Sequence, residues 1–135
     1  MKTTDLMIGD WVMYGDEELQ VLAMDDIAVY ANKQRHGWIG YENLEPILLT
    51  DEILKKNGFE LVGVGDNGPA TPKANINRYE KWECKTIFQT FYLYYDRRSE
   101  YYSLNAFSNH IDHIIYVHEL QHAMRVCGIT KEVEL

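Results

Sequence analysis

Five consecutive residues near the end of the chain, His118 to His122, spell the H-E-x-x-H pattern of zinc hydrolases. Two histidines four positions apart lie on one face of a helix, about one turn apart, so both imidazoles can bind the same metal ion. In such enzymes the intervening glutamate, here Glu119, is the general base that activates the metal-bound water. One hypothesis is therefore a zinc-dependent hydrolase of the peptidase type, with His118 and His122 as metal ligands.

A catalytic zinc ion also needs a third protein ligand and an open position for water. Only thirteen residues follow His122, and they contain no histidine. Upstream of the motif, His110, Asp112 and His113 are the side chains that can complete the ligand set. Four of the five histidines fall between residues 110 and 122, and this clustering is the strongest indication of a metal site.

The same residues have a simpler interpretation as part of an amphipathic helix. From about Tyr116 to Cys127, one stripe recurs at helical spacing: Val117, Leu120, Gln121, Met124 and Cys127. If this stripe faces the core, His118 and His122 line the polar flank of the helix and Glu119 lies in solvent. We favour this interpretation, and with it we expect no catalytic residue, no bound metal and no cofactor. Zinc is the alternative cofactor.

The two cysteines, Cys84 and Cys127, stand far apart in the chain, and residues 1–10 contain no apolar secretion signal. We therefore expect reduced thiols in a cytoplasmic protein. Cys127 beside a histidine resembles a nucleophile, but without oxyanion donors it is more simply a small core residue. No apolar run reaches the roughly twenty residues that span a bilayer, so we expect no membrane association.

Charge argues against one class of partner. The 135 residues carry a formal net charge of −8, from 13 basic and 21 acidic side chains. The basic pairs Lys55-Lys56 and Arg97-Arg98 each stand beside acidic residues rather than in a basic patch. Such a surface repels a phosphate backbone, so we expect no nucleic-acid partner.

Residues 1–49 have the pattern of a small β-barrel. Four short segments are rich in β-branched and aromatic side chains and are separated by turn signals: Trp11 to Tyr14, Leu19 to Met24, Ile27 to Tyr30 and Trp38 to Tyr41. Short, strongly bent strands close into barrels because closure removes exposed edges. The opening Ile8-Gly9-Asp10-Trp11-Val12 resembles the first strand of SH3-like barrels, so we predict an SH3-like β-barrel here.

Residues 50–135 have the pattern of an α+β subdomain. Thr50 followed by two acids, and Lys55-Lys56-Asn57-Gly58, predict the start and end of a short linking helix. Strands are predicted at Phe59 to Val62, Tyr79 to Lys85, Thr86 to Tyr95, Tyr101 to Leu104 and Ile111 to Ile115, with a loop or insertion from Gly63 to Asn77.

The last part of the chain is predicted to form a helix that ends at Gly128, followed by either a final strand or a docked tail from Ile129 to Leu135. The predicted fold class is therefore α+β: a small N-terminal barrel, then an antiparallel sheet with a C-terminal helix. We expect the two subdomains to share one core.

Tyrosine is the unusual residue of this chain, with ten copies. Five of them fall between residues 92 and 102, where apolar and aromatic side chains alternate. This alternation predicts a strand that is buried on one side and aromatic on the other. Such a face can stack on bases or sugars, but aromatic strand faces more often pack under a helix, and the negative charge of the chain argues against nucleic acid.

Three blocks of the sequence, in order, resemble a family of small proteins of unknown function from gut Bacteroidetes and their prophages. The blocks are Ile8 to Val12, Leu44 to Phe59, and Tyr116 to His122 with Gly128 following. The resemblance implies no activity. It does imply variation in the third block, because similar sequences read Tyr-Val-His-x-Leu-Gln-Asn there. That pattern keeps the equivalents of His118, Leu120 and Gln121, whereas the positions of Glu119 and His122 differ.

These observations together predict a non-catalytic, cytoplasmic accessory protein, and the resemblance implies a phage or mobile-element origin. We expect a protein partner that binds through the barrel or through the aromatic sheet. The rival hypothesis is the zinc-dependent hydrolase, with Glu119 as general base and His118 and His122 as ligands beside one of the three upstream side chains.

Overall fold

The chain falls into two compact units, and each is described by itself. The structure, a computed structural model, describes residues 1, 5–65 and 78–135. The first unit comprises Met1–Leu48 with Tyr116–His118, and the second comprises Leu49–Ile115 with Glu119–Leu135. The prediction of one core shared by residues 1–49 and 50–135 stays a prediction.

The first unit contains a curled, antiparallel four-stranded sheet in the order β1-β2-β3-β4. Its strands are β1 (Trp11–Tyr14), β2 (Glu17–Met24), β3 (Ala28–Ala31) and β4 (Trp38–Gly40). After β4 the chain returns to β1, where Met13 and Glu45 exchange backbone hydrogen bonds of 2.8 and 2.9 Å. Because this bridge brings the end of the segment back to the first strand, the sheet forms a half-barrel.

Alternation along these strands produces the core of the first unit. Every second side chain points inward, and the buried cluster includes Val12, Leu19, Val21, Val29, Ile39 and Leu44. The turn between β2 and β3 is held by Asp25, whose carboxylate accepts hydrogen bonds from the amides of Ile27 and Ala28. All four strands predicted from the sequence are present in this unit.

A short helix, α1 (Asp51–Lys56), opens the second unit. The side chain of Thr50 accepts a hydrogen bond from the Ile53 amide at 3.3 Å, which satisfies one of the free N–H groups of the first turn. Gly58 follows the helix with a φ of 84°, a left-handed conformation that glycine adopts without strain. The linking helix therefore starts and ends where the sequence predicts.

The second unit is built on an antiparallel five-stranded sheet in the order β5-β6-β7-β8-β9. Its strands are β5 (Phe59–Gly65), β6 (Tyr79–Lys85), β7 (Thr90–Asp96), β8 (Tyr101–Ala106) and β9 (Asn109–Ile114). One face, here called the core face, carries the large buried side chains: Phe59, Trp82, Cys84, Phe91, Leu93 and Leu104. Helix α1 packs against strand β5, and the Cys84 sulfur on the core face lies 3.9 Å from the carbonyl oxygen of Asn57, the residue that follows the helix.

Two predictions about this sheet need correction or restriction. The strand predicted from Thr86 begins only at Thr90, because residues 86–89 form a turn. The Thr86 hydroxyl accepts hydrogen bonds from the amides of Phe88 and Gln89 and so competes with strand pairing. The predicted loop from Gly63 to Asn77 is wrong for its first three residues, which belong to β5; residues 66–77 lie outside the described part of the chain.

The C-terminal helix, α2 (Val117–Val126), buries the predicted apolar stripe. Gly128, two residues after the helix, has a φ of 72° and terminates it, and the Ile129 amide donates to the Met124 carbonyl at 2.9 Å. The tail then docks rather than forming a strand. Asn57 exchanges two 2.7 Å hydrogen bonds with the backbone of Glu134.

The predicted fold class is confirmed: an α+β protein with a curled N-terminal sheet, a linking helix, a second antiparallel sheet and a C-terminal helix. Within the described residues, neither helix has the length and apolar character that crossing a bilayer requires.

Candidate functional site

The glutamate of the H-E-x-x-H pattern stabilises the start of helix α2. The Glu119 carboxylate accepts a hydrogen bond of 3.0 Å from the backbone amide of Ile115, which precedes the helix. This contact resembles the second half of a capping box, in which a glutamate in the first turn reaches back to the residues before the helix. A carboxylate near the helix N-terminus also interacts favourably with the helix dipole. Glu119 is partly exposed, so the expectation that it lies in solvent holds only in part, since its carboxylate also binds the backbone before the helix.

The first histidine of the pattern is buried. His118 has a relative exposure of 6%, and its ring stacks on Tyr116 at a centroid distance of 6.0 Å and an interplanar angle of 9°. The amphipathic interpretation predicts that His118 lines the polar flank of the helix, and this burial contradicts that prediction for His118. His122, one turn further on, is partly exposed. The two imidazoles therefore have different environments although their spacing is helical.

The three upstream candidates lie on the edge strand β9, and contacts with β8 engage each of them. His110 Nε2 lies 2.7 Å from an Asp112 oxygen, and its Nδ1 contacts the side chain of Asn105. The same Asp112 oxygen accepts a 2.7 Å hydrogen bond from the Ser103 hydroxyl. His113 has a φ of 63°, and its ring stacks on Tyr101 at 4.5 Å.

A metal site needs side chains that converge on one ion. Within residues 1, 5–65 and 78–135, no group of three or more histidine, cysteine, aspartate or glutamate side chains is placed to hold one metal ion. His118 and His122 as ligands, with His110, Asp112 or His113 as the third, therefore stay a sequence-based prediction.

Both thiols are buried in the structure. Burial raises the pKa of the Cys84 thiol and of the Cys127 thiol, which disfavours the reactive thiolate at neutral pH. This environment supports the interpretation of Cys127 as a core residue rather than a nucleophile.

Side chains with potential for binding gather on the other side of the five-stranded sheet. Strand register places four tyrosines on the face opposite the core face: Tyr79, Tyr92, Tyr94 and Tyr101. We call this surface the tyrosine face. All four rings are partly exposed, whereas Phe91 and Leu93, which alternate with them on β7, are fully buried. The predicted strand that is buried on one side and aromatic on the other is thus confirmed.

A lysine lies at the centre of the tyrosine face. Lys81 Nζ is 4.4 Å from the ring centre of Tyr92 and 5.9 Å from that of Tyr94, within range of cation–π attraction. Two glutamates, Glu60 and Glu83, share the same face, and Glu83 pairs with Lys85 at 3.3 Å. The surface therefore combines aromatic rings with charges of both signs.

One end of the tyrosine face is held by an ion pair between the buried Asp96 and the partly exposed Arg78. Arg78 donates two hydrogen bonds to Asp96, at 3.0 and 2.9 Å, and its guanidinium lies 5.1 Å from the ring centre of Tyr79. The Asp96 carboxylate also accepts from the amides of Arg98 and Ser99 in the turn after β7. Hydrogen bonding, chiefly from Arg78, lowers the pKa of Asp96 to about 2. This network fixes the hairpin that carries Tyr94 and Tyr101.

The other end of the sheet carries exposed apolar side chains at two hairpin tips. Ile87, Phe88 and Phe107 have relative exposures of 91%, 82% and 76%. Phe107 also has a φ of 55°, which is unfavourable for a bulky residue. Both tips lie at the same end of the antiparallel sheet. Strands β6 and β8 run in the same direction, and each tip follows the end of one of them.

Sequence reasoning identified the aromatic strand but missed Lys81 and the apolar tips. Lys81 becomes part of the site only through its cross-strand pairing with Tyr94, which a single sequence does not display. The tips carried a usable signal: turn residues flanked by strands are normally glycine, asparagine, aspartate or proline, and Ile87-Phe88 is a departure from that preference.

Neither a protein-family model, nor a curated protein, nor a solved structure matches this chain. Function must therefore be argued from the sites themselves, since fold alone does not specify it. The tyrosine face can bind by stacking, by cation–π contact and by hydrogen bonds from phenolic hydroxyls. It has no evident nucleophile with an adjacent base among the contacts that define it.

Proposed function

We propose that this chain is a non-catalytic accessory protein that binds another protein through the tyrosine face. The observation that carries the proposal is the row of partly exposed tyrosines around Lys81 on a rigid, fully paired part of the sheet. The second unit already has a complete buried core on the opposite face, so these rings are not needed to fill it.

Tyrosine suits a protein interface for a physical reason. Its ring provides a large contact area with only two rotatable bonds, and its hydroxyl makes hydrogen bonds at the rim. Tyrosine is accordingly enriched among the residues that dominate binding energy. On this face Lys81 and the Asp96–Arg78 pair hold the neighbouring rings, so little conformational entropy is lost on binding.

The charge of the face favours protein over nucleic acid as the partner. Lys81 and Lys85 are accompanied on the same face by Glu60 and Glu83, and the whole chain carries a net charge of −8. A phosphate backbone would meet acidic groups beside the aromatic rings. A protein surface with mixed polar and apolar groups would not.

The cellular setting is also part of the proposal. Two reduced cysteines support a cytoplasmic location. The resemblance of three sequence blocks to small proteins of gut Bacteroidetes and their prophages supports an origin in a phage or another mobile element. Neither inference depends on the identity of the partner.

Capture of the partner tests the proposal. Immobilised wild-type protein and the double variant Tyr92→Ser/Tyr94→Ser are incubated with the same native host lysate, and bound proteins are quantified by mass spectrometry. We expect at least one protein to be retained by the wild type and reduced more than tenfold by the variant, which corresponds to a loss of about 1.4 kcal/mol or more.

A matched control places the same kind of change in the first unit. Trp38 is an exposed aromatic residue on β4, so Trp38→Ser removes an aromatic side chain without altering the tyrosine face. We expect this variant to retain the partner. Loss of the partner in the control alone would assign binding to the first unit, and no specific capture by wild type would contradict the proposal.

The zinc-hydrolase alternative stays a prediction, and metal analysis tests it separately. Protein purified without a histidine tag is analysed for zinc beside His122→Ala. Stoichiometric zinc in the wild type that disappears in the variant would overturn a non-catalytic function. We expect substoichiometric zinc in both samples.

A further inference from the structure

The two edges of the five-stranded sheet differ in how they are protected. Edge strands expose unpaired N–H and C=O groups, and proteins usually shield them with charged residues, proline or short length. The edge strand β9 carries Asp112 and two histidines over six residues. The edge strand β5 has seven residues, of which only Glu60 is charged, and it contains no lysine or proline.

Apolar side chains on β5 are exposed, although the strand pairs with β6 from Phe59 to Gly65 apart from a register shift between Leu61 and Gly63. Leu61, Val62 and Val64 have relative exposures of 46%, 48% and 45%. In the part of the chain that the structure describes, β6 is the only strand that pairs with β5. In the described residues, the outer backbone edge of β5 therefore pairs with no other strand, and the strand carries exposed apolar side chains.

A β-bulge determines which of these side chains share a face. The register with β6 shifts between Leu61 and Gly63, so that Leu61 lies opposite Trp82 and Val64 lies opposite Glu80. Trp82 and Glu80 are two residues apart on β6, so their side chains point to the same side of the sheet. Residues directly opposite them on β5 point to that side as well. Leu61 and Val64 are therefore neighbours on the core face.

We propose that β5 pairs with β5 of a second copy of this chain, giving a twofold-symmetric dimer with a continuous ten-stranded antiparallel sheet. Antiparallel pairing about a twofold axis requires residues that face each other to lie on the same side of the sheet. Setting Leu61 opposite Val64 of the second copy satisfies this requirement twice. Glu60 then faces Gly65, so no like charges oppose each other.

Gly63, which lies beside this bulge, is compatible with the same arrangement. A Cβ atom added at Gly63 would meet nothing within 4 Å, and its φ is not positive, so neither packing nor backbone conformation within one chain requires glycine. Glycine inside a strand weakens it and marks either a bulge, such as the one beside Gly63, or a position that another backbone approaches closely. In the proposed register Gly63 faces Val62 of the second copy, at the centre of the new strand pair.

Sedimentation equilibrium over a concentration series tests the dimer. We expect a mass twice that of one chain for the wild type, and a shift to the single-chain mass for Val64→Lys, because the charge would be buried opposite Leu61. Val126→Lys is the matched control, since Val126 is 75% exposed on helix α2, and it should remain dimeric. Circular dichroism checks that each variant is folded.

Disulfide trapping tests the register and guards against misfolding of the lysine variant. Opposed side chains in an antiparallel pair have Cβ atoms about 4.5–5.5 Å apart, close enough for a disulfide after small adjustment. A mixture of Leu61→Cys and Val64→Cys proteins should therefore form covalent dimers on mild oxidation, whereas each variant alone should not.

Two results would overturn the proposal: wild-type protein that remains a single chain at every soluble concentration, or equal cross-linking in the mixture and in the separate variants. This inference does not depend on the proposed binding function, because the dimer uses the edge of β5 and not the tyrosine face. Loss of dimerisation and loss of partner capture are read out by different variants.

Discussion

Helix α2 and the tyrosine face both concentrate residues with chemical potential, but the fold uses them differently. In the helix, Glu119 hydrogen-bonds the backbone before the first turn and His118 is buried against Tyr116. On the sheet, the rings of Tyr92 and Tyr94 stay partly exposed around Lys81. The comparison teaches that residue types identify possible chemistry, whereas burial and hydrogen bonding decide whether it is accessible.

The largest expected effect comes from the buried side of helix α2. Leu120→Ala should lower the free energy of unfolding by about 2–5 kcal/mol, because Leu120 is buried and its loss leaves a cavity. Val126→Ala, on the exposed side, should change it by less than about 0.5 kcal/mol. Urea denaturation measures both. Equal effects would mean that the helix is not seated on a core.

The next effect compares the partly buried Arg78–Asp96 pair with a more exposed ion pair on the same face. Asp96→Asn should destabilise the protein by about 1–3 kcal/mol, because the Arg78 fork and two turn amides lose a charged acceptor. Lys85→Gln, which removes one partner of an exposed pair, should cost less than about 1 kcal/mol. Chemical denaturation at neutral pH compares the two variants, and similar losses would contradict the buried network.

The same network predicts acid sensitivity. Asp96 has a pKa of about 2 in the folded protein, below the ordinary value of about 3.9. The unfolded chain therefore binds this proton at higher pH than the folded chain. The stabilisation from Asp96 is fully present above about pH 4–5 and is lost as pH falls toward 2. Urea titrations from pH 6 to pH 2 should show a steeper loss for wild type than for Asp96→Asn.

A smaller effect distinguishes a helix cap from a catalytic base. Glu119→Ala should destabilise the protein by about 0.5–2 kcal/mol, the usual range for loss of a cap. Glu119→Gln keeps an oxygen that can accept from the Ile115 amide, so its stability should stay close to wild type. Thermal unfolding of the pair gives the answer. Equal stability of all three proteins would show that the cap contributes nothing.

The smallest stability effect is expected on the tyrosine face. Each ring of Tyr92 and Tyr94 is partly exposed and lies outside the core, so replacing either by serine should cost no more than about 1 kcal/mol. Leu93→Ala, between them on the core face, should cost about 2–5 kcal/mol. If the tyrosine substitutions proved as damaging as the leucine substitution, the tyrosine face would be a structural surface.

Much of the fold could be predicted because local signals agreed with the final structure. Thr50 and Gly58 bound helix α1 through a cap and a left-handed glycine, both of which depend only on neighbouring residues. The alternation of Phe91 and Leu93 with Tyr92 and Tyr94 gave the correct faces of β7. Short-range chemistry of this kind is visible in a single sequence.

Features that depend on distant residues were not predictable. Ile87 and Phe88 have strong strand propensity, yet the Thr86 hydroxyl forms a turn there and leaves both exposed. The capping role of Glu119 was hidden because Tyr116, not serine or threonine, precedes the helix. The position of Lys81 over the Tyr92 ring required the register between β6 and β7.

Nitration of tyrosines, mapped by peptide mass spectrometry in the free protein and in its captured complex, tests the central claim most directly. We expect Tyr92 and Tyr94 to react in the free protein and to be protected in the complex. Tyr102 serves as the internal control, because burial raises the pKa of its phenol and should keep it unreactive in both states. Equal reaction of Tyr92 and Tyr94 with and without the partner would contradict binding through the tyrosine face.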